Sequence, residues 1–377
     1  MTEIASFDSY ISTGGPAALV IREPLMPVEG PDGVLFPATF AAGGGFAGGY
    51  NIDGDPNGTN VCLIDSVGSQ ANRIEPLFKD EPYAALVPQI VVKAGDKAVS
   101  LLDAGHRAGD ALVRCSALQT ELQNAFKAVL MGDAEPLSKT APTSLVFGVW
   151  DSRDTHAKCP RLVASTVRAF NVRSLKRGAV YIPPIDYVAQ NVFTEEEKAE
   201  AEQKARAEGD NKNPLAKHGF VHVPASGSHG GVIADGGTVR QATLGLAALR
   251  LLSAANASRT QALRRYILGL SLVAFTAPPS SYLRQGCLLV LNPDLPREFS
   301  EVHPDGRRVP CSITHEQALE FALRAAKEFG VGESRTVDFD KDRAKKVVSG
   351  EGDAKTKHKK GKKAKGTTSA TTPDAEA

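Results

Sequence analysis

Apolar residues recur along this chain at two spacings. Alternating or β-branched runs predict strands over residues 17–23 (AALVIRE), 61–65 (VCLID), 86–93, 143–150, 161–172, 179–182 and 287–292. Apolar positions three and four apart predict helices over 105–115, 118–131, 239–253, 259–271 and 314–329. Another short helix follows VCLID, where Ser66 to Ser69 supply capping hydroxyls and a glycine ahead of Gln70, Asn72 and Arg73. Strands and helices mix without strict alternation. That order predicts an α+β domain, an antiparallel sheet with helices on one face, rather than a doubly wound nucleotide fold.

The pattern breaks between Pro183 and Gly237. TEEEKAEAEQKARAEGDNKNP (Thr194–Pro214) is charged throughout and has almost no large apolar residue, so it fits an exposed helix but not a core. The flanking YIPPIDYV (Tyr181–Val188) and HGFVHVPA (His218–Ala225) read as extended arms able to pair. The whole insertion is then a projecting hairpin with a charged tip, or else a long surface loop. FPATFAAGGGFAGGY (Phe36–Tyr50) is glycine-rich but lacks both the G-K-[ST] ending of a P-loop and the order of a dinucleotide fingerprint, so it is expected as flexible chain.

Composition narrows the class. At 377 residues and 42% hydrophobic content the chain can bury a substantial core, as one large decorated domain or two. No apolar run is long enough for a membrane span, and MTEIASFDSY lacks a basic leader, so the cytoplasm is the expected compartment. Five scattered cysteines without a C-x-x-C pair argue against a disulfide framework or a zinc site. His218, His222 and His229 lie close in sequence, but with no cysteine pair or H-E-x-x-H helix a solvated loop is the simpler reading, and no metal or other cofactor is expected. The net charge of +1 conceals an asymmetry: residues 341–366 hold eleven Lys and Arg against three acids, a local +8. KTKHKKGKKAKG (Lys355–Gly366) and the residues after it have nothing to fold around, and read as a disordered basic tail or a nonspecific phosphate binder.

Two regions carry candidate chemistry. At Asp65–Pro76 (DSVGSQANRIEP) a buried strand feeds a helix start, where free N–H groups and the macrodipole favour an anion and Arg73 can act as countercharge; an ordinary capped helix is the alternative. Residues 150–178 hold Arg153, Lys158, Arg161, Arg168, Arg173, Lys176 and Arg177. In one continuous strand Arg161 and Arg173 share a face with Arg168 opposite, a spread that grips phosphates through bidentate guanidinium contacts or simply protects an edge. Arg107 and Arg114 fall on one face of the helix opened by His106. Aromatic content is 6% with no RNP-like cluster, which favours recognition of backbone and shape over base stacking.

The ordered set GYNID (Gly49–Asp53), DGDPNGTNVCLIDS (Asp53–Ser66), the Asp65–Pro76 run and LLDAGHRAGDALVRCS (Leu101–Ser116) resembles the backbone subunit of type I-G (formerly I-U) CRISPR effector complexes, within the RAMP superfamily; the resemblance covers roughly residues 15 to 330. It implies a modified ferredoxin-like or RRM-like palm (1–182 and 238–335, with helical decorations), an inserted thumb hairpin placed at 183–237, and a basic tail from 336 to 377. It also implies a protein that is no enzyme. Copies stack head to tail along crRNA, the thumb of one folding over RNA held by the next, beside other effector subunits, while the target DNA strand pairs with the guide. On residue chemistry guided by that fold, Ser69, Gln70, Asn72, Arg73, Arg107, Arg161, Arg168 and Arg173 are the expected RNA contacts. The alternatives are a RAMP-type ribonuclease using Asp53, Asp55 or His106, and a metabolic enzyme holding a phosphorylated small molecule at the Asp65–Arg73 turn.

Overall fold

A computed structural model describes residues 7–55, 58–208 and 213–349. The fold is α+β, consistent with an RRM-like arrangement, and is built on a nine-stranded sheet whose pairings are all antiparallel. Its spatial order runs Tyr282–Arg284, Cys287–Leu291, Ala18–Pro27, Thr238–Gly245, Val163–Phe170, Asn60–Asp65, Ile52–Gly54. One edge of Ala18–Pro27 is divided between two partners. Ala18–Arg22 pairs with Glu298–Val302, and Leu25–Pro27 pairs with Leu289–Leu291.

Side-chain alternation makes one face of this sheet the inner one. The inward rows run Leu19, Leu244, Val163, then Ile21, Ala242, Ser165, then Glu23, Arg240, Val167, Asp65 across neighbouring strands. Helix Ala257–Thr276 lies behind them, apolar almost all round from Ala262 onward because it is enclosed between the sheet and helix His315–Phe329. The outer helix starts at a capping box, Thr314 with Gln317, and ends at Gly330 with φ 76°. Where the helices cross, Gly269 faces Ala322 so closely that a Cβ would sit 2.8 Å from the Ala322 Cα. Tyr266 stacks on Phe329 at 4.7 Å and donates its hydroxyl to the Leu86 carbonyl.

Behind the sheet the apolar core is split in two. One cluster gathers Leu19, Ile21, Leu244, Leu263, Phe275 and Phe321, the other Leu25, Cys62, Ala169, Val232 and Leu283. The charged row of Glu23, Arg240 and Asp65 runs between them, each of the three at most 2% exposed.

The insertion is a hairpin, but its stem begins earlier than the sequence suggests. Val172–Tyr181 pairs with Val223–Ala234, from Val172 opposite Ala234 to Tyr181 opposite Val223, with two register shifts on the way. The expected arms at 181–188 and 218–225 meet only at the end of this ladder. Pro183 and Pro184 lack the N–H groups that would continue it. Asn60 clamps the base, accepting from the Val172 N–H at 2.7 Å and donating to its carbonyl at 3.1 Å. Toward the tip the chain forms helices Glu195–Glu208 and Pro214–Lys217.

Five other expectations change. Residues 143–150 form helix Thr143–Phe147 and a two-residue strand, since a short run buried on all sides carries no periodicity to tell the two apart. The helix expected over 239–253 is strand Thr238–Gly245 followed by helix Leu246–Leu249. The one expected at 105–115 is interrupted, because Arg107 takes φ 54° and Asp110 caps a new turn, Ala111–Arg114. The glycine-rich segment closes as a small ladder, Thr39–Phe40 with Gly49–Tyr50, and Tyr50 accepts at its hydroxyl from the Gly231 N–H of the hairpin. The basic tail does not start at 336: strand Arg335–Asp338 pairs in parallel with Ile90–Ala94, and helix Lys341–Ser349 follows. Residues 350–377, which contain the lysine-rich run, lie outside the described residues.

The Gly269–Ala322 crossing yields a stability test. Gly269→Val forces the two helices apart and should lower unfolding free energy by about 1–3 kcal/mol in urea titration, from overpacking at a filled contact.

Candidate nucleic-acid interface

The helix start after Asp65 is already neutralised from within. Helix Val67–Ile74 is capped by Ser66, whose hydroxyl accepts from the Ser69 N–H at 3.2 Å. Asp65 sits immediately before it, 1% exposed, and accepts from three side chains. Gln70 Nε2 donates at 2.7 Å, Arg73 Nε at 3.2 Å and Arg284 Nη2 at 2.8 Å; Arg284 Nη1 also donates to the Ile64 carbonyl. Arg73 Nη2 turns to the Leu283 carbonyl rather than outward. The anion expected here is the chain's own carboxylate.

 Three donor groups therefore reach the Asp65 oxygens themselves, one each from Gln70, Arg73 and Arg284. Gln70 is buried, with its Oε1 accepting from Ser165, so neither end of its amide is left for RNA, which corrects the expectation for this residue. Of the helix-start set, Asn72 is exposed and Ser69 half-buried.

Arg107 is likewise held inside the fold. It is 4% exposed, its Nε lies 2.7 Å from Glu75 Oε2, its Nη1 donates to the Gly148 carbonyl, and its guanidinium covers the Phe147 ring at 5.3 Å. A group so enclosed offers no phosphate contact. Burial pushes the Glu75 carboxyl up to about 7, outweighing the attraction of Arg107. Arg161 precedes strand Val163–Phe170 and donates from Nε to the Phe147 carbonyl at 2.9 Å; burial, then the nearby Arg107 charge, lowers its pKa.

The three arginines at 161, 168 and 173 do not share one strand. The strand ends at Phe170, Asn171 turns with φ 48°, and Arg173 belongs to the hairpin, where Asp235 binds it through two hydrogen bonds of 2.6 and 3.1 Å. Arg168 lies on the outer face of the sheet, half-buried, with Nη1 donating to Thr166. Register brings Arg22, Gln241 and Thr166 into one outer row, and Pro24, Val239 and Arg168 into the next. Arg22, Gln241 and Thr243 are exposed. Arg22 forms no ion pair among the described residues. The sequence reading passed over it because it sits in an otherwise apolar strand; the alternation of AALVIRE is the signal that points it away from the core. The structure thus brings Arg22 and Arg168 onto the outer sheet face, two strands apart in neighbouring rows with the buried Pro24 and Val239 between the strands' polar positions, and leaves Arg73, Arg107 and Arg161 elsewhere.

Residues 19–174 match the family described as CRISPR-associated protein GSU0053. The match supports a CRISPR-associated protein with a role in CRISPR-Cas defence. It runs from the first sheet strand to the base of the hairpin and takes in Asp65, Gln70, Arg73 and Arg168. No curated protein matches the chain.

The remaining candidate groups are dispersed. His106 donates its backbone N–H to Asp110, and Asp53 lies in the edge strand opposite Val61. His229 packs on Tyr50 with ring centroids 4.7 Å apart, and His218 faces Phe220. Among the described residues no three His, Cys, Asp or Glu side chains converge as a metal site, and no helix is long and apolar enough to cross a membrane. Cys62, Cys159 and Cys287 are buried, and burial raises each thiol's pKa, to about 12, 11 and 11.

Glu75 makes stability depend on pH. Its folded pKa of about 7 lies above the ordinary carboxyl value of 4.5, so the folded state binds the extra proton between those values. Stability from this group is therefore full below pH 4.5, declines as pH rises toward 7, and levels off above it, a loss of at most about 3 kcal/mol. Urea midpoints measured from pH 5 to 8 should fall in the parent protein, and Glu75→Gln should remove most of that decline.

Proposed function

We propose that this chain is the guide-RNA-binding backbone subunit of a type I-G (formerly I-U) CRISPR effector complex, a RAMP-superfamily protein without catalytic activity of its own. The observation that carries the reading is the outer sheet face. It presents Arg22 and Arg168 among Gln241, Thr243 and Thr166, which are hydrogen-bonding groups suited to phosphates and ribose, with no cluster of aromatic rings for stacking bases. A surface of that chemistry accepts any guide sequence, as a subunit repeated along crRNA must, and leaves sequence selection to pairing between guide and target DNA.

The Val172–Ala234 hairpin supports the second part of the proposal. Its stem from Arg173 to Gly178 is largely exposed and carries Arg173, Lys176 and Arg177, and its helical tip is polar all round. We assign it as the thumb, with boundaries shifted from 183–237 to 172–234, the remainder being the palm. Copies then stack head to tail, each thumb reaching the RNA on its neighbour, beside other effector subunits. Such an open heterologous contact builds a helical array from identical chains.

Co-expression with a CRISPR array, purification at high salt and sequencing of the retained RNA tests both parts. The parent protein should retain guide RNA of uniform length in a large particle. Arg22→Ala and Arg168→Ala should each weaken binding equally for all guide sequences and reduce the salt slope by about one; a loss confined to some guides would sink backbone recognition. Replacing residues 183–222 by a short turn should shorten the particles, and unchanged particle length would overturn the thumb assignment.

A further inference from the structure

On the other side of the sheet from Arg22 and Arg168, a cavity of about 380 Å³ opens between the inner face and the segment from Pro279 to Leu291. Leu25, Val167, Leu283 and Leu289 give it apolar walls. Gln70 also lines it, but its amide is committed to Asp65 and Ser165, and Ser280 donates its hydroxyl to the Tyr282 carbonyl. The group left over is Arg240. It is 2% exposed, it gives Nε to Glu23, and its Nη2 meets no acceptor.

Charge around this cavity is unbalanced. Glu23 is shared by Arg240 and Arg297, and Asp65 by Arg73 and Arg284. Four guanidinium groups thus share two carboxylates, and of the four Arg240 lines the cavity, as a buried donor without a partner on Nη2. A buried guanidinium with a free edge is complementary to a planar anion that accepts through two oxygens. The volume is more than ten times the roughly 30 Å³ share of one water molecule, and the apolar walls match a hydrocarbon body rather than a hydrated ion.

We propose that this cavity binds a small organic acid, its carboxylate on the terminal nitrogens of Arg240 and its short apolar body against Leu25, Val167, Leu283 and Leu289. A phosphate dianion fits less well, since a single partly free guanidinium cannot replace its hydration against apolar walls. The proposal does not depend on RNA binding, because the cavity and the outer sheet face lie on opposite sides of the same strands.

Calorimetric titration of the full chain with hexanoate, hexanamide and inorganic phosphate tests it. Saturable hexanoate binding is expected, with hexanamide and phosphate at least tenfold weaker. Arg240→Lys keeps the charge but removes the planar pair of donors, and should weaken hexanoate at least tenfold. Because that change touches a buried ion pair, Ser281→Trp provides a second variant: Ser281 lines the cavity and is exposed, so the indole blocks the mouth without entering the core. It should abolish hexanoate binding while leaving the melting temperature unchanged. Equal affinity for acid and amide, preference for phosphate, an absence of saturable binding, or full hexanoate affinity in either folded variant would overturn the proposal.

Discussion

The buried carboxylate of Asp65 is the constraint on which the rest of this fold depends. It closes strand Asn60–Asp65, begins the helix that carries Gln70 and Arg73, and receives Arg284 from a segment more than two hundred residues later in the chain. Three separate parts of the sequence are therefore fixed to one side chain. A charge so far from water is tolerated only while its partners remain, and losing one from such a cluster leaves an uncompensated ion at a penalty of about 3–5 kcal/mol. Glu23, with Arg240 and Arg297, repeats the device three strands away on the same row. Together they divide the core into two apolar clusters and define register: a one-residue slip would send every one of these charges to the opposite face.

The same row explains where the sequence was readable. Strand Ala18–Pro27, strand Asn60–Asp65 and helices Ala257–Thr276 and His315–Phe329 follow patterns that hydrophobicity alone reveals, the last marked at its start by Thr314 and Gln317. Residues 239–253 misled because Arg240 points inward on a strand. An inward charge erases the alternation that identifies a strand, and the leucines after Gly245 then extend a false helical spacing backward. The α+β class survived that error, since it rests on the mixture of elements and not on any one of them.

The site was less legible than the fold. A run of arginines in sequence shows how many cations are present but not which carboxylate each meets. Arg73, Arg107 and Arg173 found Asp65, Glu75 and Asp235, from 8 to 62 positions away. Arg22 went unnoticed for the converse reason, as a lone charge within an apolar strand looks like noise until the pairing with Gln241 shows which way it faces. The helix start at Ser66 was correctly located, while its anion turned out to be internal.

The geometry at the base of the hairpin has one more consequence. Val172 and Ala234 are paired neighbours, clasped to the body by Asn60, so everything between them leaves and re-enters the domain at a single point. To the sheet, that excursion is equivalent to a tight turn, whatever its length, because the entropy of closing a loop grows only with the logarithm of its size. Relatives are thus free to lengthen, shorten or exchange the tip without renegotiating the core. Evolution can tune reach on this scaffold as an independent variable, and a protein engineer can use the same port to graft a foreign domain.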